Sequence, residues 1–130
     1  PPPPATSSAA LDVYKRQILA SLEAIAFQTR DLLEAFKNDG AGIKSIKIDG
    51  GMANNDLFGQ ILSDVLSIEI FKPSNIESTS LGAAYLAGIG SDHVKLSELA
   101  DIWKADKLFK SKKSYEVKYK RYLSRLNSLV

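Results

Sequence analysis

The sequence predicts an α/β fold built on a parallel βαβ unit, and three observations carry that reading. Apolar residues recur at helical spacing from Ile18 to Phe36. A short β-branched run, Ile43, Ile46 and Ile48, is broken by Asp49-Gly50-Gly51 and followed by a second helical pattern. Ile68, Ile70 and Phe71 then form a second strand-like run ended by Lys72-Pro73. Two strands joined through one helix are expected to lie parallel, because the crossover packs back onto the sheet they share.

Pro1 to Gln17 shows no apolar period continuous with the helical pattern that starts at Ile18 and reads as a non-native or disordered leader, so the fold is expected to occupy residues 18–130. The first helix presents Ile18, Leu22, Ile25, Ala26, Thr29, Leu32, Leu33 and Phe36 over about five turns and stops at Asn38-Asp39-Gly40. In the second helix the stripe is Leu57, Phe58, Ile61, Leu62, Val65 and Leu66, with Asn54, Asn55 and Asp56 available as caps. Beyond Pro73, Ser78 to Gly88 is crowded with small side chains and predicts a close-packed helix; Gly82 costs about 1 kcal/mol against alanine there, so a packing reason is expected. A short helix around Leu96 to Trp103 and a basic helical tail over residues 104–130 complete the chain.

The 130 residues are 45% apolar, enough for one domain with a real core. No run of about eighteen apolar residues could span a bilayer, and the first seventeen residues lack the pattern of a secretion signal, which points to the cytoplasm. Without cysteine there is no disulfide framework, thiolate metal site or cysteine nucleophile, and the single histidine, His93, lies in a polar stretch as a solvated or capping residue. The net charge of +2 conceals an imbalance: residues 1–103 carry eight Lys/Arg against thirteen Asp/Glu, and residues 104–130 carry nine against two. Such a tail could bind a polyanion, but Tyr115, Tyr119, Tyr122 and Leu126 interleave with its lysines as in an amphipathic helix with a solvated face, so no nucleic-acid partner is expected.

The segment IKSIKIDGGMANN, Ile43 to Asn55, reads as strand, glycine turn, helix. Glycine lacks the Cβ that holds a ligand off the backbone, so this turn can bring main chain and a helix N-terminus to a nucleotide, although two glycines also simply end a strand tightly. It is not the GxGxxG fingerprint of a dinucleotide fold.

The residues themselves then resemble a known family. LEAIAFQTRDLLEAF (Leu22 to Phe36), IDGGMANN (Ile48 to Asn55), ILSDVL (Ile61 to Leu66) and STSLGAAYLAG (Ser78 to Gly88) are similar, in order and spacing, to blocks of the C-terminal domain of the glycerol kinases, members of the FGGY carbohydrate kinases. The resemblance implies part of an actin-like, RNase H-like ATPase domain, a mixed sheet with flanking helices. It implies transfer of the γ-phosphoryl group of ATP to glycerol, with Mg²⁺ bridging the phosphates. Gly51 and Asn55 would be nucleotide-contacting positions, with Gly50 as their structural partner. The family's phosphate loop, acceptor-binding residues and general base have no counterpart here; Asp49, Asp56 and Asp64 are read as capping or solvated groups. Leu19 stands where the family usually has an arginine, which suggests an interruption near residue 18. The resemblance also implies a cytoplasmic enzyme, associated in some members with the outer mitochondrial surface, and homo-oligomers of the complete protein. The alternatives are another FGGY sugar kinase, xylulokinase-like or gluconokinase-like, and a non-catalytic ATP-responsive module.

Overall fold

A computed structural model of the chain describes residues 8–75, 77–99 and 104–128. The elements run α1 (Ser8–Asn38), β1 (Ser45–Lys47), a 3₁₀ turn (Gly51–Asn54), α2 (Asp56–Leu66), β2 (Glu69–Pro73), α3 (Ser78–Gly90), α4 (Leu96–Leu99), β3 (Ala105–Phe109) and α5 (Glu116–Asn127). The sheet order is β1-β2-β3. β1 pairs parallel to β2 with Ile46 opposite Ile70, as the βαβ reading requires, and β3 pairs antiparallel to β2 with Phe109 opposite Ile70, so the sheet is mixed.

α2 carries the core. Phe58, Ile61, Leu62, Val65 and Leu66 are all buried, between α1 and the sheet residue Ile70, which is fully enclosed. Burying side chains of this size is worth about 1.5–3 kcal/mol each before conformational entropy is subtracted. α1 contributes Leu22, Ala26, Phe27 and Leu33, whereas Ile18, Ile25, Leu32 and Phe36, which share its apolar period, remain exposed.

Three expectations change. Residues 8–17 of the expected leader are helix, continuous with the rest of α1, because nothing in SAALDVYKRQ breaks a helix once the following turns hold it; Leu11, Val13 and Tyr14 stay exposed. Residues 1–7 lie outside the described residues. Leu19, at the position where the resemblance suggested an interruption, packs against the core. In the expected basic helical tail, residues 105–109 are strand: β2 offers a free ladder, and pairing turns Phe109 into the core at 4% exposure, a gain that no solvated helix provides. Among the described residues of that tail, only Glu116–Asn127 is helical. Finally, α3 buries no residue, and a Cβ on Gly82 would meet nothing within 4 Å, so the expected packing reason is absent: small side chains permit close approach but do not by themselves drive it. Of the helix expected around Leu96 to Trp103, Leu96–Leu99 is described and residues 100–103 lie outside the described residues.

α5 is held to α1 by an aromatic and polar clasp. Phe27 sits among Tyr115, Tyr119 and Tyr122 at centroid distances of 6.3, 5.9 and 5.3 Å. The Tyr119 and Tyr122 hydroxyls donate to the two oxygens of Asp31 at 2.5 and 2.8 Å. The Arg30 guanidinium lies 4.0 Å from the Tyr119 ring centroid and pairs with Glu116 at 2.8 Å. Burial first, and then its bond to the Asp31 carboxylate, pushes the Tyr119 phenol well above its ordinary range.

This packing can be tested at two glycines and one tyrosine. A Cβ on Gly59 would lie 2.6 Å from the Phe109 ring, so Gly59→Ala should destabilise: overpacking costs about 1–3 kcal/mol and outweighs the roughly 1 kcal/mol that alanine gains in a helix. Gly82→Ala, with open space around it, should hold or raise the midpoint, and urea denaturation of both variants checks the pair. The tyrosine test concerns pH. Tyr119 keeps its proton in the fold above the ordinary value of 10.0, where the unfolded chain has begun to lose it, so the native state binds more protons and stability falls as pH rises past that value. Tyr119→Phe should flatten the alkaline limb of a stability–pH curve; an unchanged limb would remove the clasp from the explanation.

Candidate functional site

The glycine turn is set between the end of β1 and the start of α2. After Lys47 the strand makes one more sheet contact, Ile48 N–H donating to the Phe71 carbonyl at 2.9 Å. Gly50 then adopts φ 76°, a left-handed region that a side chain rarely enters, and this turns the chain away from the sheet. The 3₁₀ turn closes through Ala53 N–H to the Gly50 carbonyl at 3.0 Å and Asn55 N–H to the Met52 carbonyl at 3.1 Å. Ala53 is fully buried and anchors the turn from below.

Asn55 caps α2: its Oδ1 accepts from the Phe58 N–H at 3.2 Å, which satisfies one of the donors a helix start leaves unpaired. With Oδ1 so engaged, the side chain's remaining donors are the two N–H groups on Nδ2. Gly51 is exposed, takes no left-handed φ, and would meet nothing within 4 Å if it carried a Cβ. Nothing internal to the fold therefore requires glycine at position 51, whereas position 50 requires it for the backbone. The three residues singled out from the sequence, Gly50, Gly51 and Asn55, thus lie on one turn, on an open surface rather than in a closed pocket. Hollows among the described residues lie elsewhere, one lined by Ile18, Leu57, Ile61 and Tyr115 and another by Pro73, Ser78, Tyr85 and Leu99.

The three aspartates differ in environment. Asp49 is exposed. Asp56 opens α2 and is held by Lys107 Nζ at 2.6 Å and Lys72 Nζ at 3.4 Å; the Lys107 bond, with help from Lys72, keeps its carboxyl below the usual carboxylate range. Of the two roles expected for Asp64, capping or solvated, the solvated one does not hold: the residue is 4% exposed, and Oδ1 accepts from Lys112 N–H at 2.6 Å, Lys113 N–H at 3.3 Å and Gln60 Nε2 at 3.0 Å. It organises the loop between β3 and α5, a role whose only sequence signal was a carboxylate inside the apolar run ILSDVL. His93 is exposed and closes a turn with Ser91. Among the described residues no group of three His, Cys, Asp or Glu side chains could hold a metal ion, and no helix is long and apolar enough to cross a membrane.

A sequence model for the FGGY family of carbohydrate kinases, C-terminal domain, matches residues 8–91, the span from α1 through the turn to the end of α3. The chain belongs to the FGGY carbohydrate kinases. This FGGY chain is 50% identical over 95 residues to a glycerol kinase of Gluconobacter oxydans and 42% identical over 107 residues to one of Alkaliphilus metalliredigens, covering 72% and 81% of the chain. It spans only 19% and 21% of those relatives, about a fifth of their length. In structure it is similar to Plasmodium falciparum glycerol kinase, solved with ADP, at TM-score 0.63 and 33% identity over 83% of this chain and 22% of that one. It also shares the fold of a xylulose kinase from Lactobacillus acidophilus, at TM-score 0.71 and 22% identity over 83% of this chain and 23% of that one.

The two glycines should separate on mutation. Gly51→Ala should leave unfolding free energy within about 0.5 kcal/mol of the parent, while Gly50→Ala should lose about 1 kcal/mol or more to its left-handed backbone. Thermal and urea unfolding measure both; the reverse order would mean that the turn needs position 51 for folding.

Proposed function

We propose that this chain forms one wall of the nucleotide site of a kinase that transfers the γ-phosphoryl group of ATP to glycerol, giving glycerol 3-phosphate. The observation that carries the reading is Gly51: an open, unstrained glycine beside a capping asparagine, in a chain 33% identical to a glycerol kinase solved with ADP. Gly50 bends the main chain outward, Gly51 lets a nucleotide reach that main chain, and Asn55 offers Nδ2 donors at the positive end of α2. Glycerol is the favoured acceptor because the sequence relatives named above are glycerol kinases at 42–50% identity, and among proteins of like fold the glycerol kinase is 33% identical against 22% for the xylulose and gluconate kinases. We place the complete enzyme in the cytoplasm.

Phosphoryl transfer asks the protein mainly for positioning and charge stabilisation. Mg²⁺ would neutralise phosphate charge in that reaction, but the carboxylates of α2 do not fit a site for it: Asp56 is committed to two lysines and Asp64 to backbone amides. Nor does either carboxylate stand ready as a general base. This chain's own share is therefore to seat and orient the nucleotide.

The purified chain should accordingly show no glycerol-dependent ADP release above background, and it should bind ATP only in the millimolar range, about −4 kcal/mol. At about 1 mM nucleotide that affinity stabilises the fold by about 0.4 kcal/mol. A coupled ADP assay and calorimetry measure both. Micromolar affinity, or turnover that disappears in Gly51→Val, would show a self-sufficient site instead of one wall.

A further inference from the structure

Asp56 follows Asn55 directly, so its carboxylate stands at the first residue of α2, next to the turn that the proposed function assigns to the nucleotide. An isolated carboxylate there would repel a nucleotide's phosphates. This one is not isolated. Its Oδ2 takes Lys107 at 2.6 Å and its Oδ1 takes Lys72 at 3.4 Å. The two lysines are cross-strand partners on β3 and β2, in register with each other, so their ammonium groups would repel without an anion between them. The cluster of one carboxylate and two ammonium groups carries a net charge of +1, and it spans three elements: the start of α2 and both strands of the antiparallel pair. Lys72 is 14% exposed, so its side chain has little freedom to turn elsewhere.

The geometry points to Asp56 as a positioning residue for the nucleotide turn. By bridging Lys72 and Lys107 it fixes the N-terminus of α2 laterally over the sheet, and with it Asn55 and the backbone after Gly50. This inference rests on the nucleotide reading of Gly51 and Asn55. It differs in sign from a plain charge effect: if Asp56 acted only through its charge, removing that charge would strengthen nucleotide binding, whereas a positioning role makes removal weaken it. Because Asp56 and Lys107 are about half exposed, the fold itself should scarcely depend on the pair.

The test is an ADP titration of the isotope-labelled 130-residue chain, observed through the amide resonances of Gly50, Gly51 and Asn55. The parent should show saturable shifts at those amides. Asp56→Asn should weaken ADP about 3- to 10-fold, the scale for loss of one charge-assisted tie, with an unchanged unfolding midpoint and faster amide exchange at Ala53 and Asn55. Lys107→Met should weaken ADP similarly, and the double variant should be no worse than either single one, because all three break the same bridge. Asp56→Glu, which can still reach a lysine, should recover part of the affinity. Tighter or unchanged binding in Asp56→Asn overturns the positioning role while leaving the nucleotide reading intact. No shift at any of the three amides in the parent overturns the nucleotide reading itself.

Discussion

The close approach of the Phe109 ring to the backbone of Gly59 sets where β3 lies against α2, and much of the rest of the chain follows from that placement. A Cβ at position 59 would come within 2.6 Å of the ring, so the absence of a side chain on α2 is what lets β3 lie against it. Phe109 is opposite Ile70, and from that register Leu108 and Lys107 fall opposite Phe71 and Lys72. The same placement brings the Phe109 carbonyl within 3.2 Å of the Ser63 hydroxyl, whose single proton has the Ile68 carbonyl as its nearer acceptor at 2.8 Å, so a polar side chain that is fully buried leaves no donor unpaired.

Two consequences run from that contact in opposite directions along the chain. Upstream, Lys107 reaches Asp56 and steadies the start of α2, where the glycine turn ends. Downstream, the chain leaving β3 is caught by Asp64, whose buried oxygen takes the amides of Lys112 and Lys113, and is thereby aimed toward α1. There α5 is received by Phe27, Arg30 and Asp31 rather than by an aliphatic stripe. A tyrosine face suits this place: each ring buries area against Phe27 while its hydroxyl finds a carboxylate partner at the rim.

The division of charge along the sequence has a physical counterpart in these links. Lys107, Lys110, Lys118 and Arg30 pair with Asp56, Glu69, Glu23 and Glu116, so several bridges join the basic C-terminal part to the acidic body. The exposed ones contribute little stability individually. They matter through geometry, because they fix which strand, loop or helix end stands beside which, and the turn carrying Gly50, Gly51 and Asn55 inherits its orientation from that arrangement.

The sequence by itself determined the parts whose information is local. Apolar periodicity located α1 and α2, the β-branched runs located β1 and β2, and Asp49-Gly50-Gly51 with Asn55 marked a strand-turn-helix junction in which Gly50 takes the left-handed backbone and Asn55 caps the helix. The motif blocks likewise carried the family. What only the tertiary structure decided depends on pairing between distant residues. Residues 105–109 read as part of a helical tail because lysines flank Leu108 and Phe109, and they become strand because β2 supplies the ladder and Gly59 the space. Asp64 read as a capping or solvated group, since no sequence pattern announces that the amides it takes lie 48 and 49 residues later and that it is buried there. Small residues made α3 look close-packed, yet small side chains permit close approach without driving it: α3 buries no residue and the space around Gly82 is open.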